Sequence, residues 1–134
     1  MHRIMLTALA AAALLGTHLD AQDTAQAMMG EAEIEIAVGR SVMDRMPVDT
    51  ASTFPAAVGE LACWTRVSGL AGTTIQHVWI HGEDEFPVSL EIGGPSWRTW
   101  STKVIEAERT GEWRVEVRDA AGTVLETIRF TVGG

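Results

Sequence analysis

Two tryptophan-rich segments, PSWRTWSTK at residues 95–103 and GEWRVEV at residues 111–117, decide the fold class of this chain. Together they hold three of its five tryptophans. In the second segment Trp113, Val115 and Val117 alternate with polar or charged residues, which is the period-two pattern of a strand with one buried face. Because a glycine precedes this alternation, we expect the two segments to form neighbouring strands of one sheet.

The same alternation recurs along the chain at short spacing, and no segment has the period of a helix. This pattern predicts a seven-stranded antiparallel β-sandwich, preferably with immunoglobulin-like topology, and a small closed β-barrel is the alternative. The chain has no tyrosine and a single cysteine, so it lacks the tyrosine corner and the inter-sheet disulfide of immunoglobulin domains. The predicted strands are residues 33–38, 61–67, 73–81, 86–92, 97–105, 112–118 and 124–132.

The segments between the strands predict how the strands are connected. A glycine-bearing turn at residues 68–72 predicts a hairpin of the second and third strands, and a symmetric register places Trp64 opposite His77. Residues 44–55 contain two prolines and no alternation, so they are predicted to be a loop. Pro87 predicts an edge strand, because proline cannot donate a hydrogen bond to a sheet. The predicted core contains Trp113, Val115, Val117, Ile128 and Phe130.

The first 21 residues have the pattern of a secretory signal peptide. A short basic start precedes an apolar run at residues 4–15 and a small-residue cleavage site at residues 19–21. The run is shorter than the about 20 residues of a membrane span. Cleavage at residues 25–27 and an uncleaved anchor helix are the alternatives. We therefore expect an exported, periplasmic or extracellular protein with a flexible tether at residues 22–32, one domain at residues 33–134 and no membrane span in the mature chain.

The net charge argues against a nucleic-acid partner, and the cysteine content excludes an intramolecular disulfide. The formal net charge is −8, and it stays so after cleavage because Arg3 and Asp20 are removed together. Nucleic acid is therefore not expected as a partner, since binding phosphates requires a basic face. Cys63 is the only cysteine, so no intramolecular disulfide can form.

Spaced tryptophan motifs carry a family resemblance. They are CWTR at residues 63–66, HVW at residues 77–79, WRTWSTK at residues 97–103, GEWRVEV at residues 111–117, and a last segment at residues 122–132. In these motifs the chain resembles a bacterial family of domains of unknown function, number two nine one four, over nearly all of the mature chain. The resemblance implies a small exported or membrane-tethered all-β module, and it brings no activity, cofactor or catalytic residue.

Catalytic and metal-binding patterns are weak in this sequence. Cys63 is a candidate nucleophile, but its place in the alternation with Leu61 and Val67 favours a small core residue. His77 and His81 are four residues apart, which on a strand separates them by about 13 Å, too far for one metal ion. We therefore predict no metal, no cofactor and a noncatalytic binding or interaction module. The alternative is a small exported hydrolase that acts on cell-wall glycan or peptide through an unrecognised site.

An aromatic face is the remaining candidate site. On the predicted hairpin, Trp64, Arg66, His77 and Trp79 share one face, which either packs beneath the loop at residues 44–55 or stays open as a binding platform. An open platform suits a sugar or an acidic peptide, and the expected partner is an envelope glycan, peptide or protein. The candidate binding residues are Trp64, Arg66, His77, Trp79, Trp97, Arg98 and Trp100.

Overall fold

Ten β-strands and no helix form residues 32–133, the part of the chain that the computed structural model describes. The prediction of an all-β fold is confirmed, and the barrel alternative is wrong because none of the three sheets closes. The strands are β1 (Glu33–Gly39), β2 (Ser41–Met43), β3 (Met46–Val48), β4 (Thr53–Phe54), β5 (Gly59–Ser68), β6 (Thr74–His81), β7 (Asp84–Glu91), β8 (Ser96–Ile105), β9 (Gly111–Arg118) and β10 (Val124–Val132).

The predicted signal peptide, and the predicted tether except for Ala32, lie outside the described residues. Within residues 32–133 there is no helix of the length and apolarity that a membrane crossing requires.

Two larger sheets and one hairpin make up the fold. The first sheet has three antiparallel strands in the order β1-β5-β8. The second has five strands in the order β4-β10-β9-β6-β7, and only the pair of β4 and β10 is parallel. Strands β2 and β3 pair with each other as a separate antiparallel hairpin.

The inner faces of the two larger sheets contribute side chains to one core. From β5, Leu61 and Cys63 are fully buried, and they belong to the same cluster as Trp79, Trp113 and Phe130 of the five-stranded sheet. The predicted core position of Cys63 is thus confirmed. Each such large apolar side chain contributes about 1.5–3 kcal/mol when buried. The described domain is therefore held together by aromatic packing without a disulfide.

The predicted hairpin of the second and third strands is wrong. Strand β5 pairs with β1 and β8, whereas β6 pairs with β7 and β9 in the other sheet. The turn between them crosses from one sheet to the other, and Gly69 and Gly72 supply its positive φ angles of 85° and 83°. A short connection can join neighbours in one sheet or strands of two sheets. Alternation shows which side chains are buried, but it does not identify the partner strand.

The two tryptophan-rich segments also lie in different sheets, contrary to the prediction. Strand β8 is at the edge of the three-stranded sheet, and β9 is in the middle of the five-stranded sheet. The alternation within β9 is as predicted, since Trp113, Val115 and Val117 are 1%, 0% and 0% exposed. As in the hairpin prediction, the alternation correctly identified the buried side chains but did not identify the neighbouring strand.

The predicted loop at residues 44–55 contains β3 and β4, and β2 precedes it, so ten strands are found and not seven. Asp44 and Arg45 form the tight turn of the hairpin with φ angles of 52° and 64°. Two-residue turns of this kind normally use asparagine and glycine, so the usual sequence signal is absent.

Small residues allow the β2–β3 hairpin to lie close to the outer face of the three-stranded sheet. Ala37, Gly39 and Ala62 are neighbours on that face. A Cβ atom at Gly39 would overlap the carbonyl oxygen of Val48 in β3. The absence of this side chain therefore determines how closely the hairpin approaches the sheet.

One edge of the five-stranded sheet was predicted correctly from the sequence. Strand β7 is an edge strand, as Pro87 predicts. On β10 a β-bulge between Val124 and Glu126 shifts the register. The bulge leaves Val124 47% exposed, while Phe130 stays in the core.

Candidate functional site

The pairing of β5 with β8 brings four of the seven candidate residues together on the outer face of the three-stranded sheet. In this register Trp64 is opposite Trp100, and Arg66 is opposite Arg98. All four side chains point away from the core because the odd-numbered residues of β5 face inward. The grouping differs from the predicted one, since β8 takes the place that was assigned to β6.

The two arginines form a like-charged pair across the strands, an arrangement that is destabilising when nothing neutralises it. Arg66 has one ion pair, in which Nη1 is 3.3 Å from Oε1 of Glu35, and both side chains are well exposed. Arg98 has no carboxylate within salt-bridge distance among residues 32–133, and its Nη1 lies 3.4 Å from the sulfur of Met46. A thioether is a weak acceptor. The guanidinium of Arg98 is therefore available to an anionic ligand.

The two tryptophans of this face differ in exposure. Trp64 is only 3% exposed, because the β2–β3 hairpin covers it and its Nε1–H donates to the carbonyl oxygen of Arg45 at 2.9 Å. The guanidinium of Arg66 lies over its ring at 5.8 Å. Trp100 is partly exposed. Trp64 thus holds the hairpin in place, and Trp100 is the ring that a ligand can reach.

The hairpin adds apolar side chains that the sequence analysis did not include. Met43 and Met46 are 63% and 40% exposed, and Arg45 is also exposed. The only sequence feature that could have indicated this apolar area is the pair of methionines on either side of the two-residue turn. We call Arg45, Met46, Arg66, Arg98 and Trp100 the arginine–tryptophan surface.

The other three candidates lie on the inner faces. His77 and Trp79 are both 0% exposed in β6, and Trp97 packs half-buried against the inner cluster that contains Val67. The platform in which His77 and Trp79 share a face with Trp64 is therefore not formed, because it required β5 and β6 to be neighbours.

A chain of hydrogen bonds joins the two larger sheets through the core. Oγ1 of Thr65 is 3.1 Å from the carbonyl oxygen of Thr99 and 3.1 Å from Nε2 of His77. Nδ1 of His77 is 2.8 Å from Oγ of Ser101, which is 3.0 Å from Nε1 of Trp79. Thr65, Thr99 and Ser101 belong to the three-stranded sheet, and the other two residues belong to β6.

The two ends of this chain fix the direction of every bond and the tautomer of His77. The indole N–H of Trp79 can only donate, and the carbonyl of Thr99 can only accept. Thr65 donates to that carbonyl, so it accepts the proton on Nε2 of His77. Nδ1 of the ring then accepts the hydroxyl proton of Ser101, which itself accepts from Trp79. Every group is satisfied when His77 is neutral, and burial lowers the pKa of His77 to about 4.

Ser101 and His77 have the hydrogen bond of a nucleophile and its general base, but the core encloses them. Ser101 is 5% exposed and His77 is 0% exposed. The hydroxyl oxygen of Ser101 could attack a substrate only if the substrate could reach it. The thiol of Cys63 is likewise buried, and burial raises its pKa. Neither nucleophile is accessible in this fold.

Metal ligands do not converge in the described domain. No group of three or more His, Cys, Asp or Glu side chains comes together within residues 32–133. Nε2 of His81 instead lies 2.8 Å from the carbonyl oxygen of Thr110. A shallow depression of about 420 Å³ at the β4 edge is lined by Thr53, Phe54, Pro55, Ala56 and Gly133. It has no charged side chain to orient a substrate.

Residues 72–132 match the family described as "Protein of unknown function (DUF2914)". This match confirms the family resemblance over that part of the chain, and the CWTR motif at residues 63–66 precedes it. No curated protein matches the sequence.

Solved structures resemble the chain only distantly. The β-glucosidase of Listeria innocua in complex with glucose is 14% identical with a TM-score of 0.39, and the similarity covers 77% of this chain and 16% of that chain. A selenomethionine-labelled β-glucosidase of Kluyveromyces marxianus gives the same identity and TM-score and is covered over 15% of its length. A structural-genomics target is 9% identical with a TM-score of 0.38, and is covered over 88% of its length. The chain thus spans about a sixth of the β-glucosidases, and these similarities assign no activity.

Proposed function

We propose that the domain is a noncatalytic binding module of the bacterial cell envelope, which recognises an acidic ligand on the arginine–tryptophan surface. The observation that carries this proposal is the pairing of Arg66 with Arg98, because Glu35 binds Arg66 and leaves Arg98 without a carboxylate partner among residues 32–133. The chain is acidic overall, so a local basic pair is not explained by its average composition.

The chemistry of the surface favours a ligand with one anionic and one apolar part. Guanidinium groups bind carboxylates through paired, charge-assisted hydrogen bonds. Trp100 and Met46 border the two arginines and supply partly exposed apolar area. A uronic-acid or muramic-type sugar and an acidic peptide both combine these features.

Export and fold topology complete the proposal. We infer that residues 1–21 direct the protein to the periplasm or outside the cell, and intact-mass measurement of the mature protein should give a chain that begins at Gln22. We also infer an immunoglobulin-like sandwich. The strand order β1-β5-β8 opposite β10-β9-β6 corresponds to the A-B-E and G-F-C orders of that fold, with β7 beside β6 as an additional strand.

Binding to acidic and neutral probes tests the function. Wild-type protein is titrated with polyglutamate, polyglutamine, and acidic and neutral cell-wall glycan fragments at two salt concentrations. We expect the acidic probes alone to bind, and more weakly in high salt. Arg98→Gln should weaken this binding by about tenfold, the loss of one charge-assisted bond.

Arg129→Gln is the matched control, because Arg129 is an exposed arginine opposite Arg114 on the five-stranded sheet, where Glu116 already binds Arg114. It should bind as the wild type does. Equal losses of affinity in the two variants would show that binding depends only on net charge. Release of a cleaved product would show that the domain is a hydrolase and not a binding module.

A further inference from the structure

The free edge of β8 continues the arginine–tryptophan surface. Strand β8 is ten residues long, and within residues 32–133 it pairs only with β5. One row of its backbone N–H and C=O groups is thus left without a strand partner. Such an edge is a template for an additional strand from another chain.

The other edges of the larger sheets carry protective features that most of β8 lacks. Strand β7 contains Pro87 and bears exposed acids, and β4 is two residues long. Strand β1 contacts β10 and β3, and β8 contacts β7, the strand that contains Phe86. Strand β8 has neither a proline nor an acidic residue, and its one inward charge is Lys103, whose ammonium group lies 4.1 Å from the ring of Phe86. The segment from Ser96 to Thr102 is therefore the unprotected part of the edge.

We propose that an extended acidic segment of a partner protein adds to β8 as a fourth strand of the three-stranded sheet. The inference rests on the proposed function, because the side chains that select the segment are those of the arginine–tryptophan surface. On the outer face a neighbouring strand meets Arg98 and then Trp100, two residues along. The segment should carry an acidic residue beside Arg98 and an apolar residue two positions away beside Trp100.

Charge disfavours pairing of β8 with the β8 edge of a second copy of the chain. The only charged residues of β8 are Arg98 and Lys103, both cationic. A second β8 therefore brings no acid to Arg98. A glycan can contact the arginines, but it has no peptide groups in the repeat that a strand edge pairs with.

Synthetic peptides test the proposal. The probe is the octapeptide TVTETVTV, in which Glu and the valines share one face, and the control TVTKTVTV replaces Glu with Lys. Binding is measured by isothermal titration to wild type, Arg98→Glu and Arg129→Glu, after denaturation curves show that each variant is folded. We expect Arg98→Glu to weaken the Glu peptide by at least about tenfold and to bind the Lys peptide instead. Arg129→Glu should change neither peptide by more than about twofold.

Backbone methylation separates strand addition from side-chain binding alone. Two further versions of the Glu peptide are N-methylated at the odd or the even positions. In a paired strand the N–H groups of one parity face the neighbour and those of the other face solvent. We expect one version to lose binding and the other to retain it, and amide exchange to slow in β8.

The remaining outcomes overturn the inference in distinguishable ways. Equal effects of the two methylation patterns exclude strand addition, and the proposed function survives if Arg98→Glu still abolishes binding. Binding of acidic glycan without binding of the Glu peptide also leaves only the proposed function. Binding that is indifferent to Arg98→Glu removes both. A dimer of the protein alone with slow amide exchange in β8 assigns the edge to a second copy.

Discussion

Between pH 6.5 and pH 4.5, acidification should destabilise this fold chiefly through His77. Its folded pKa of about 4 lies below the ordinary value of 6.5, so between these values the unfolded chain binds more protons than the folded chain. The contribution to stability is complete above pH 6.5 and is lost as the pH falls towards 4. A difference of this size corresponds to about 3 kcal/mol.

The surroundings of His77 explain the size of the effect. Its ring lies between the hydroxyls of Thr65 and Ser101, and its register neighbours are Val88 and Val117. None of these groups carries a charge that could stabilise an imidazolium. A protonated ring would also donate from Nδ1, which leaves the hydroxyl proton of Ser101 without its acceptor.

Urea denaturation followed by tryptophan fluorescence at pH 7.5, 6.5, 5.5 and 4.5 measures this loss. His77→Gln removes the titrating imidazole, so the stability of this variant should be nearly independent of pH over this range. The wild type should lose most of the contribution of about 3 kcal/mol. His81→Gln leaves His77 and its hydrogen bonds in place, so this variant should still lose stability on acidification. Parallel curves for the wild type and His77→Gln would refute the assignment.

The pH range of this assay ends at 4.5 because the contribution of Glu116 to stability is lost at lower pH. Partial burial alone would raise the pKa of Glu116, but hydrogen bonds from Arg118 and Arg114 outweigh it and lower the pKa. Its contribution is therefore present above the ordinary carboxyl pKa and is lost at lower pH.

Three substitutions test the packing, each by chemical denaturation beside the wild type. Trp113→Ala should cost about 3–5 kcal/mol because the side chain is 1% exposed, and a loss below about 1 kcal/mol would show that it is not core. Trp79→Ala should also cost about 3–5 kcal/mol, and an unchanged stability would show that Trp79 is a surface residue, as the predicted platform required. Gly39→Ala should cost about 1–3 kcal/mol because its methyl group overlaps the carbonyl of Val48, and an unchanged midpoint would mean that the β2–β3 hairpin does not rest on the sheet.

Local side-chain patterns determined the fold class and much of the core. Alternation placed Trp113 and Val115 inside, and proline marked β7 as an edge, because these features depend on the period of a strand and on its own backbone donors. The positions of all seven predicted strands were likewise local properties. Cys63 was assigned to the core for the same reason.

Tertiary structure alone decided which strands are neighbours, and the candidate site depends on that choice. A connection of five residues has the same composition whether it turns within a sheet or crosses between sheets, so β6 was placed beside β5 where β8 lies. His77 and Trp79 consequently moved to the core, and Arg98 and Trp100 took their places beside Arg66 and Trp64. Strand pairing is set by the summed packing of both sheets, which a period of two residues does not encode.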